Sequence, residues 1–139
     1  MRRGRSAGKP TVVDTSVLAA LAFNEPRADE AASILKERAC SAPTLLAYEL
    51  TSVARRKVDA HPEMRDAITS ALDDALSLGI ELVDVEQRAS LDLALRFALT
   101  TYDAAYLALA FRRQATLATF DVTLARAATR FGVELASAA

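Results

Sequence analysis

The chain has 139 residues, of which 52% are hydrophobic and 25% are charged, and its formal net charge is −1. This composition excludes an intrinsically disordered chain, which combines low hydrophobicity with high net charge. One cysteine excludes an internal disulfide and indicates a reducing cytoplasm. No apolar run approaches the roughly 18–20 residues that cross a bilayer, so we expect no membrane partner. Residues 1–10 are basic and predict a flexible tail, while residues 11–139 predict a single domain.

Short β-branched runs alternate with longer segments of helical periodicity along the chain. The first run, 11–13, predicts a strand, and a buried helix is predicted at 17–23. Strands that alternate with helices indicate a parallel sheet with helical crossovers. The remaining predicted helices span 27–38, 44–59, 63–78, 86–98, 102–113 and 122–131, and the remaining predicted strands span 40–42, 80–83, 115–119 and 133–135.

Two predicted strands run into an aspartate. Asp14 follows the first strand directly, and Asp121 follows the fourth strand after Phe120. In open parallel sheets, ligand sites form outside the carboxyl ends of the strands. An aspartate at such a position also commonly caps the helix that follows. For either residue alone, the sequence leaves both interpretations open.

Asp103 lies in the first turn of a predicted helix, three residues after Thr100. This spacing is typical of a capping box, in which an acidic side chain also suits the helix dipole. Taken alone, Asp103 is therefore explained more readily by capping than by function.

Glu49 carries a stronger functional signal, because it falls on the apolar stripe of its predicted helix. It stands four residues after Leu45 and four residues before Val53. An ionised carboxylate on a buried stripe is costly unless it is paired or binds a metal. The alternatives are a partner arginine or a position at the exposed edge of the stripe.

Four carboxylates in one cleft would repel each other and raise their own pKa values. Divalent Mg²⁺ and Mn²⁺ prefer oxygen ligands and would relieve this repulsion. The hydroxyl groups of Thr15, Ser16 and Thr119 could bind the ligand carboxylates or metal-bound water, or serve only in turns and caps. Arg56, seven residues after Glu49 on the same helix face, could contact a phosphate, although cations near a helix end also suit the dipole.

Other candidates have simpler explanations. Asp84 competes with the four acids because it also follows a predicted strand. His61 is predicted to lie in a surface loop, so a zinc site or a Ser/His/Asp triad is not indicated. The sequence contains no Gly-rich phosphate loop. Three tyrosines at helical positions predict core or cleft wall more readily than base-stacking surfaces, namely Tyr48, Tyr102 and Tyr106.

Four segments, each with one of these acids, together resemble the PIN-domain nucleases, and among them the VapC-type toxins of prokaryotic toxin–antitoxin pairs. The resemblance extends over about residues 11–135 and includes Gly132-Val133 near its end. The four segments are 12–18 with Asp14, 43–50 with Glu49, 101–110 with Asp103, and 117–124 with Asp121.

The resemblance implies a three-layer α/β/α fold with a five-stranded parallel sheet in the order 3-2-1-4-5. The acids would gather near strands 1 and 4, and Asp84 would lie away from them at an edge strand. The resemblance further implies a cytoplasmic endoribonuclease that depends on Mg²⁺ or Mn²⁺ and cleaves RNA with a metal-activated water. The implied catalytic residues and metal ligands are Asp14, Glu49, Asp103 and Asp121.

The same resemblance implies a homodimer that is neutralised by a cognate antitoxin protein. Two alternatives to this nuclease remain. A non-catalytic PIN-like module that binds RNA or protein would be favoured by the loss of an acid, and none is lost. A phosphotransfer domain is disfavoured, because a phosphatase would need an aspartate at Ser16 and a receiver would need a lysine near the late strands.

Overall fold

A parallel sheet forms the centre of the fold in this computed structural model, which describes residues 10–137. The predicted basic tail therefore lies outside the described residues, except for Pro10, which begins the first strand. The strands lie in the order β3-β2-β1-β4, and all neighbouring pairs are parallel. Their bounds are β1 (Pro10–Val13), β2 (Ala39–Pro43), β3 (Glu81–Val83) and β4 (Thr116–Ala118).

Helices occupy every connection between the strands, as parallel pairing requires. The α6 helix is the most buried, since every residue from 104 to 110 is inaccessible or nearly so, and it contacts both β1 and β2. No helix within residues 10–137 is long and apolar enough to cross a membrane. The helices are α1 (Thr15–Ala22), α2 (Ala28–Leu35), α3 (Leu45–Ala60), α4 (Arg65–Leu76), α5 (Gln87–Phe97), α6 (Thr101–Arg113) and α7 (Val122–Phe131), with a 3-10 turn at Pro62–Met64.

The predicted parallel α/β fold is confirmed, but the prediction of a five-stranded sheet is wrong, because the described sheet has four strands. Residues 133–135 make only an isolated parallel bridge, between Leu135 and Leu117 of β4. This bridge lies beside β4, where the order 3-2-1-4-5 placed the fifth strand. The N–H of Leu117 donates to the carbonyl of Glu134, and the N–H of Ala136 donates to the carbonyl of Leu117 (both 2.9 Å). The Ala115 N–H, which this register would use for the next pair, donates instead to the carbonyl of Ala110 (2.9 Å) at the end of α6.

Helix ends differ from the predicted bounds where left-handed residues or tight turns intervene. The predicted helix 27–38 ends at Leu35, and Glu37 adopts a φ of 58°. The predicted helix 63–78 begins as the 3-10 turn and ends at Leu76, so Gly79, with a φ of 83°, lies beyond the helix end that it was expected to form.

Candidate active site

Asp14 lies directly after β1 and is only 6% exposed. Its backbone N–H donates to the carbonyl of Ala118 in β4 (2.9 Å), which fixes it at the ends of the neighbouring strands β1 and β4. Its Oδ2 accepts hydrogen bonds from Ser16 Oγ (2.6 Å), Thr119 Oγ1 (2.9 Å) and the Ser16 N–H (3.4 Å). Asp14 therefore does cap α1, which was one of the two roles that the sequence left open. Within residues 10–137, however, its Oδ1 accepts no hydrogen bond.

Two hydroxyl groups join the loop after β1 to the loop after β4. Ser16 Oγ donates to Asp14 and accepts the Phe120 N–H (2.9 Å). Thr119 Oγ1 donates to Asp14 and accepts the Asp121 N–H (3.0 Å). Asp121 in turn caps α7, because its Oδ1 accepts the Leu124 N–H (2.9 Å). The Thr119 hydroxyl therefore links the Asp14 carboxylate to the backbone of Asp121.

Glu49 is half-buried and lies at the edge of the apolar stripe of α3, which is formed mainly by Leu46, Leu50 and Ala54. Its Oε1 accepts hydrogen bonds from Thr15 Oγ1 (2.8 Å) and from the Tyr106 hydroxyl (2.6 Å). The Thr15 and Tyr106 oxygens are themselves 2.8 Å apart. Glu49 is thus paired with hydroxyl groups and makes no ion pair with an arginine within the described chain.

Tyr106 is a site residue that the sequence did not reveal. Its side chain is fully buried, which agrees with the predicted core or wall position, but its hydroxyl reaches Glu49. Burial, and next the hydrogen bond to Glu49, raise the pKa of Tyr106 well above its usual range, so the phenol stays protonated and donates. The sequence feature that could have identified Tyr106 is its spacing, since it lies three residues after Asp103 and so on the same face of α6.

Asp103 shares an electrostatic environment with the other three acids. Burial, followed by the charges of Asp14, Asp121 and Glu49, raises the pKa of Asp103 to about 6, although a hydrogen bond to Thr100 opposes the shift. Its backbone N–H donates to Thr100 Oγ1 (3.0 Å), so the predicted capping interaction also forms. Asp84, in contrast, is exposed and follows the edge strand β3.

The side-chain oxygens of the four acids are of the chemical type that a hard divalent cation prefers. All four predicted ligands offer carboxylate oxygens, and within residues 10–137 none forms an ion pair with a lysine or arginine. The unpartnered Oδ1 of the buried Asp14 is a further oxygen that a cation would satisfy. The described side chains nevertheless include no group of three or more Asp, Glu, His or Cys residues arranged to hold a metal ion. The metal site therefore stays a prediction.

The remaining predicted residues lie at the surface. Arg56 is exposed on α3 and lines a cavity of about 530 Å³ together with Thr15 and Ser16. His61 is exposed, as predicted. A core position is excluded for Tyr48 and Tyr102, which are 78% and 65% exposed.

The fold and the acids at the carboxyl ends of β1 and β4 define a class of α/β protein with an acidic cleft. A model of the PIN domain family matches residues 11–130, and the chain belongs to this family. PIN domains are typically nucleases that use divalent metal ions. Among solved structures, the crystal structure of PAE2754 from Pyrobaculum aerophilum is similar, with a TM-score of 0.70 and 24% identity over 90% of this chain and 83% of that chain. No curated protein sequence matches significantly.

Proposed function

We propose that this protein is a metal-dependent endoribonuclease that hydrolyses RNA phosphodiesters. The observation that carries the proposal is the gathering of acids around Asp103, whose pKa is raised by burial and by the charges of Asp14, Asp121 and Glu49. A cluster of carboxylates without basic partners costs free energy, and a divalent cation offsets that cost.

The proposed cofactor is Mg²⁺ or Mn²⁺, and Asp14, Glu49, Asp103 and Asp121 would hold it. When bound, such an ion lowers the pKa of a water and offsets negative charge on a phosphodiester. Ser16 and Thr119 fix one oxygen of Asp14, which leaves Oδ1 for a ligand. Thr15 fixes the carboxylate of Glu49 from the start of α1.

Arg56 is the proposed contact for a substrate phosphate. It is exposed and lines a cavity with Thr15 and Ser16, which bind Glu49 and Asp14, and within residues 10–137 it forms no ion pair that would compete with a phosphate. RNA follows as the substrate from the resemblance of the four acid-bearing segments to ribonuclease toxins.

We further propose that the nuclease is the toxin of a VapBC-type toxin–antitoxin pair, that it forms a homodimer and that a cognate antitoxin neutralises it in the cytoplasm. Support for this role comes from the resemblance and from large apolar side chains at the surface, including Leu91, Leu95 and Phe111. The free Cys40 agrees with a reducing compartment.

The decisive experiment combines RNA cleavage with thermal melting in EDTA, Mg²⁺ or Mn²⁺. We expect cleavage only with metal, and a loss of orders of magnitude in Asp14→Asn and Glu49→Gln. Asn caps a helix about as well as Asp. If Asp14 served only as a cap, Asp14→Asn would therefore leave stability and cleavage nearly unchanged. The metal-free variants should be equally or more stable because like-charge repulsion is relieved, and their metal-induced stabilisation should shrink.

Asp73→Asn is the matched control, because Asp73 is an exposed acid on α4. It should match the wild type in cleavage and in its metal-induced melting shift. Equal shifts in all the proteins, with cleavage retained, would refute the shared metal site. RNA binding without cleavage in any metal would favour the non-catalytic module instead.

A further inference from the structure

A stacked pair of side chains, Arg27 and Phe120, stands beside the acids. The guanidinium carbon of Arg27 lies 3.7 Å from the centroid of the Phe120 ring. Glu30 fixes the guanidinium with two hydrogen bonds, from Nε to Oε1 (2.9 Å) and from Nη2 to Oε2 (2.8 Å). The Arg27 side chain nevertheless remains 51% exposed. The guanidinium therefore lies over the ring, while about half of the Arg27 side chain stays open to solvent.

This pair is anchored to the candidate active site through the backbone of Phe120. The Phe120 N–H donates to Ser16 Oγ (2.9 Å), and Ser16 donates to Asp14. Phe120 also stands between Thr119, which donates to Asp14, and Asp121. Any group that stacks on Arg27 is therefore held at a fixed position relative to the acids.

Two cavities meet at the Arg27–Phe120 pair, which lines both of them. One cavity, of about 530 Å³, contains Ser16 and Arg56. The other, of about 560 Å³, is lined by apolar side chains such as Val122 and Leu135 and also by Asp121, Arg126 and Arg130. Arg126 is exposed, and within residues 10–137 it has no ion-pair partner.

We propose that the Arg27–Phe120 pair is a stacking platform for one unpaired nucleobase of single-stranded RNA, and that Arg126 binds a neighbouring phosphate in the larger cavity. This inference rests on the proposed function and specifies its substrate. Guanidinium planes stack on unpaired bases, whereas bases in a duplex already stack on their neighbours. The ion pair with Glu30 fixes the plane in advance, so that little side-chain entropy is lost on binding.

The chemistry of the larger cavity fits this occupant. Its apolar lining suits the faces of a base, and the two arginines of α7 at its side suit the phosphates. Asp121, one of the four acids, and Thr119, which donates to Asp14, line the same cavity. The stacked nucleotide therefore lies next to the phosphodiester that the acids would cleave.

Fluorescence of 2-aminopurine tests the platform, because this base is quenched when it stacks. Short single-stranded RNAs that carry 2-aminopurine at successive positions are titrated with wild-type protein in EDTA, which prevents metal-dependent cleavage. We expect quenching at one position. Arg27→Lys keeps the charge but removes the plane, so it should abolish the quenching and weaken binding about tenfold, without changing the salt dependence.

Arg126→Ala tests the phosphate contact separately. It should keep the quenching and lower the slope of log affinity against log salt by about 0.7, the value for one phosphate on a single strand. The matched control is Arg88→Lys on α5, which lies outside both cavities and should leave the affinity and the quenching unchanged.

The outcomes separate this inference from the nuclease function. Metal-dependent cleavage by the wild type, with unchanged binding and quenching in Arg27→Lys, would overturn the platform and leave the nuclease standing. Quenching that depends on Arg27, without cleavage in any metal, would contradict the nuclease and support the platform. Duplex RNA bound as tightly as single strands, or no RNA bound at all, would overturn the platform.

Discussion

Three oxygens meet where α1, α3 and α6 approach each other, and they belong to Thr15, Glu49 and Tyr106. Tyr106→Phe removes one of them and keeps the packing of the buried ring. We expect the free energy of unfolding to fall by about 1–3 kcal/mol, because a hydrogen bond to a charged group is lost. Urea denaturation measures this loss, and calorimetric Mn²⁺ titration should show weaker metal binding, because Glu49 is less firmly held.

Tyr48→Phe is the matched control for this prediction, since Tyr48 is 78% exposed and precedes Glu49 on α3. It removes a phenol hydroxyl without touching the buried triangle, so both measurements should equal those of the wild type. A Tyr106→Phe protein with unchanged stability and unchanged Mn²⁺ affinity would show that the hydroxyl does not position Glu49.

The raised pKa of Asp103 predicts a pH dependence of the metal-free protein. Its ordinary value of 3.8 is raised to about 6 in the folded state, chiefly by burial and then by the neighbouring acids. Between these values the folded state binds more protons than the unfolded state, so stability falls as pH rises. The contribution is fully present below 3.8 and lost above about 6.

Asp103→Asn removes this titration, so we expect a flatter curve of stability against pH across that window in EDTA. Metal binding requires the ionised carboxylate, and the metal-induced stabilisation of the wild type should therefore grow as pH rises through about 6. Parallel curves for the wild type and Asp103→Asn, measured by urea denaturation, would contradict the assignment.

Residue spacing marked the acids as candidates, because each occupies a distinctive local position, while their gathering was implied by the family resemblance. Asp14 and Asp121 follow strands, and Glu49 interrupts an apolar stripe. Spacing could not predict the pairing of Arg27 with Phe120, because these residues are distant in sequence and meet only through tertiary packing. For the same reason, the hydroxyl partners of Glu49 were not identifiable from its own helix.

At the scale of whole elements, the helix ends near β4 offer a matched test of left-handed caps. Gly132 ends α7 with a φ of 88°, and Gln114 ends α6 with a φ of 53°. Gly132→Ala meets no atom within 4 Å, so its cost is conformational, and we expect a loss of about 1 kcal/mol. Gln114→Gly should stabilise by up to about 1 kcal/mol, because glycine adopts this conformation without strain.

Urea denaturation of both variants at one pH gives the sign of each change in the free energy of unfolding. Changes of the same sign would contradict the conformational explanation. Gly132→Ala should also loosen the bridge between Leu135 and Leu117, because Leu135 lies three residues after the altered cap. Faster hydrogen exchange of the Leu117 amide would report this loosening.

The elements themselves were largely predictable, since apolar periodicity and β-branched runs are local properties of the sequence. Four strands and seven helices lie near their predicted positions. The fifth strand failed for a reason that periodicity does not encode. Its apolar residues are present, but the Ala115 N–H, which the next pair of the ladder would need, already donates to the carbonyl of Ala110 at the end of α6. Competition between a cap and a strand for one N–H depends on geometry rather than on composition.

At the scale of the whole molecule, the exposed apolar surface of α5 concerns association. Leu91 and Leu95 are 48% and 75% exposed and lie one turn apart on one helix face. Leu82 of the edge strand β3 is also exposed, at 42%. Burial of such side chains stabilises an interface by roughly 25 cal/mol for each Å² of apolar surface removed from water. The α5 face is therefore our candidate for the proposed homodimer interface.

Leu95→Glu places a charge at the centre of this face without disturbing the core, because the side chain is mostly exposed. We expect light scattering to give the dimer mass for the wild type at micromolar concentrations and the monomer mass for the variant. The melting temperature of the wild type should rise with protein concentration, and that dependence should vanish in the variant, since association stabilises only the folded state. Met64→Glu is the control, because Met64 is 48% exposed on the 3-10 turn, away from α5 in the chain, and should leave the dimer intact. A wild type that stays monomeric would refute the dimer, whereas a Leu95→Glu variant that keeps the dimer mass would place the interface elsewhere.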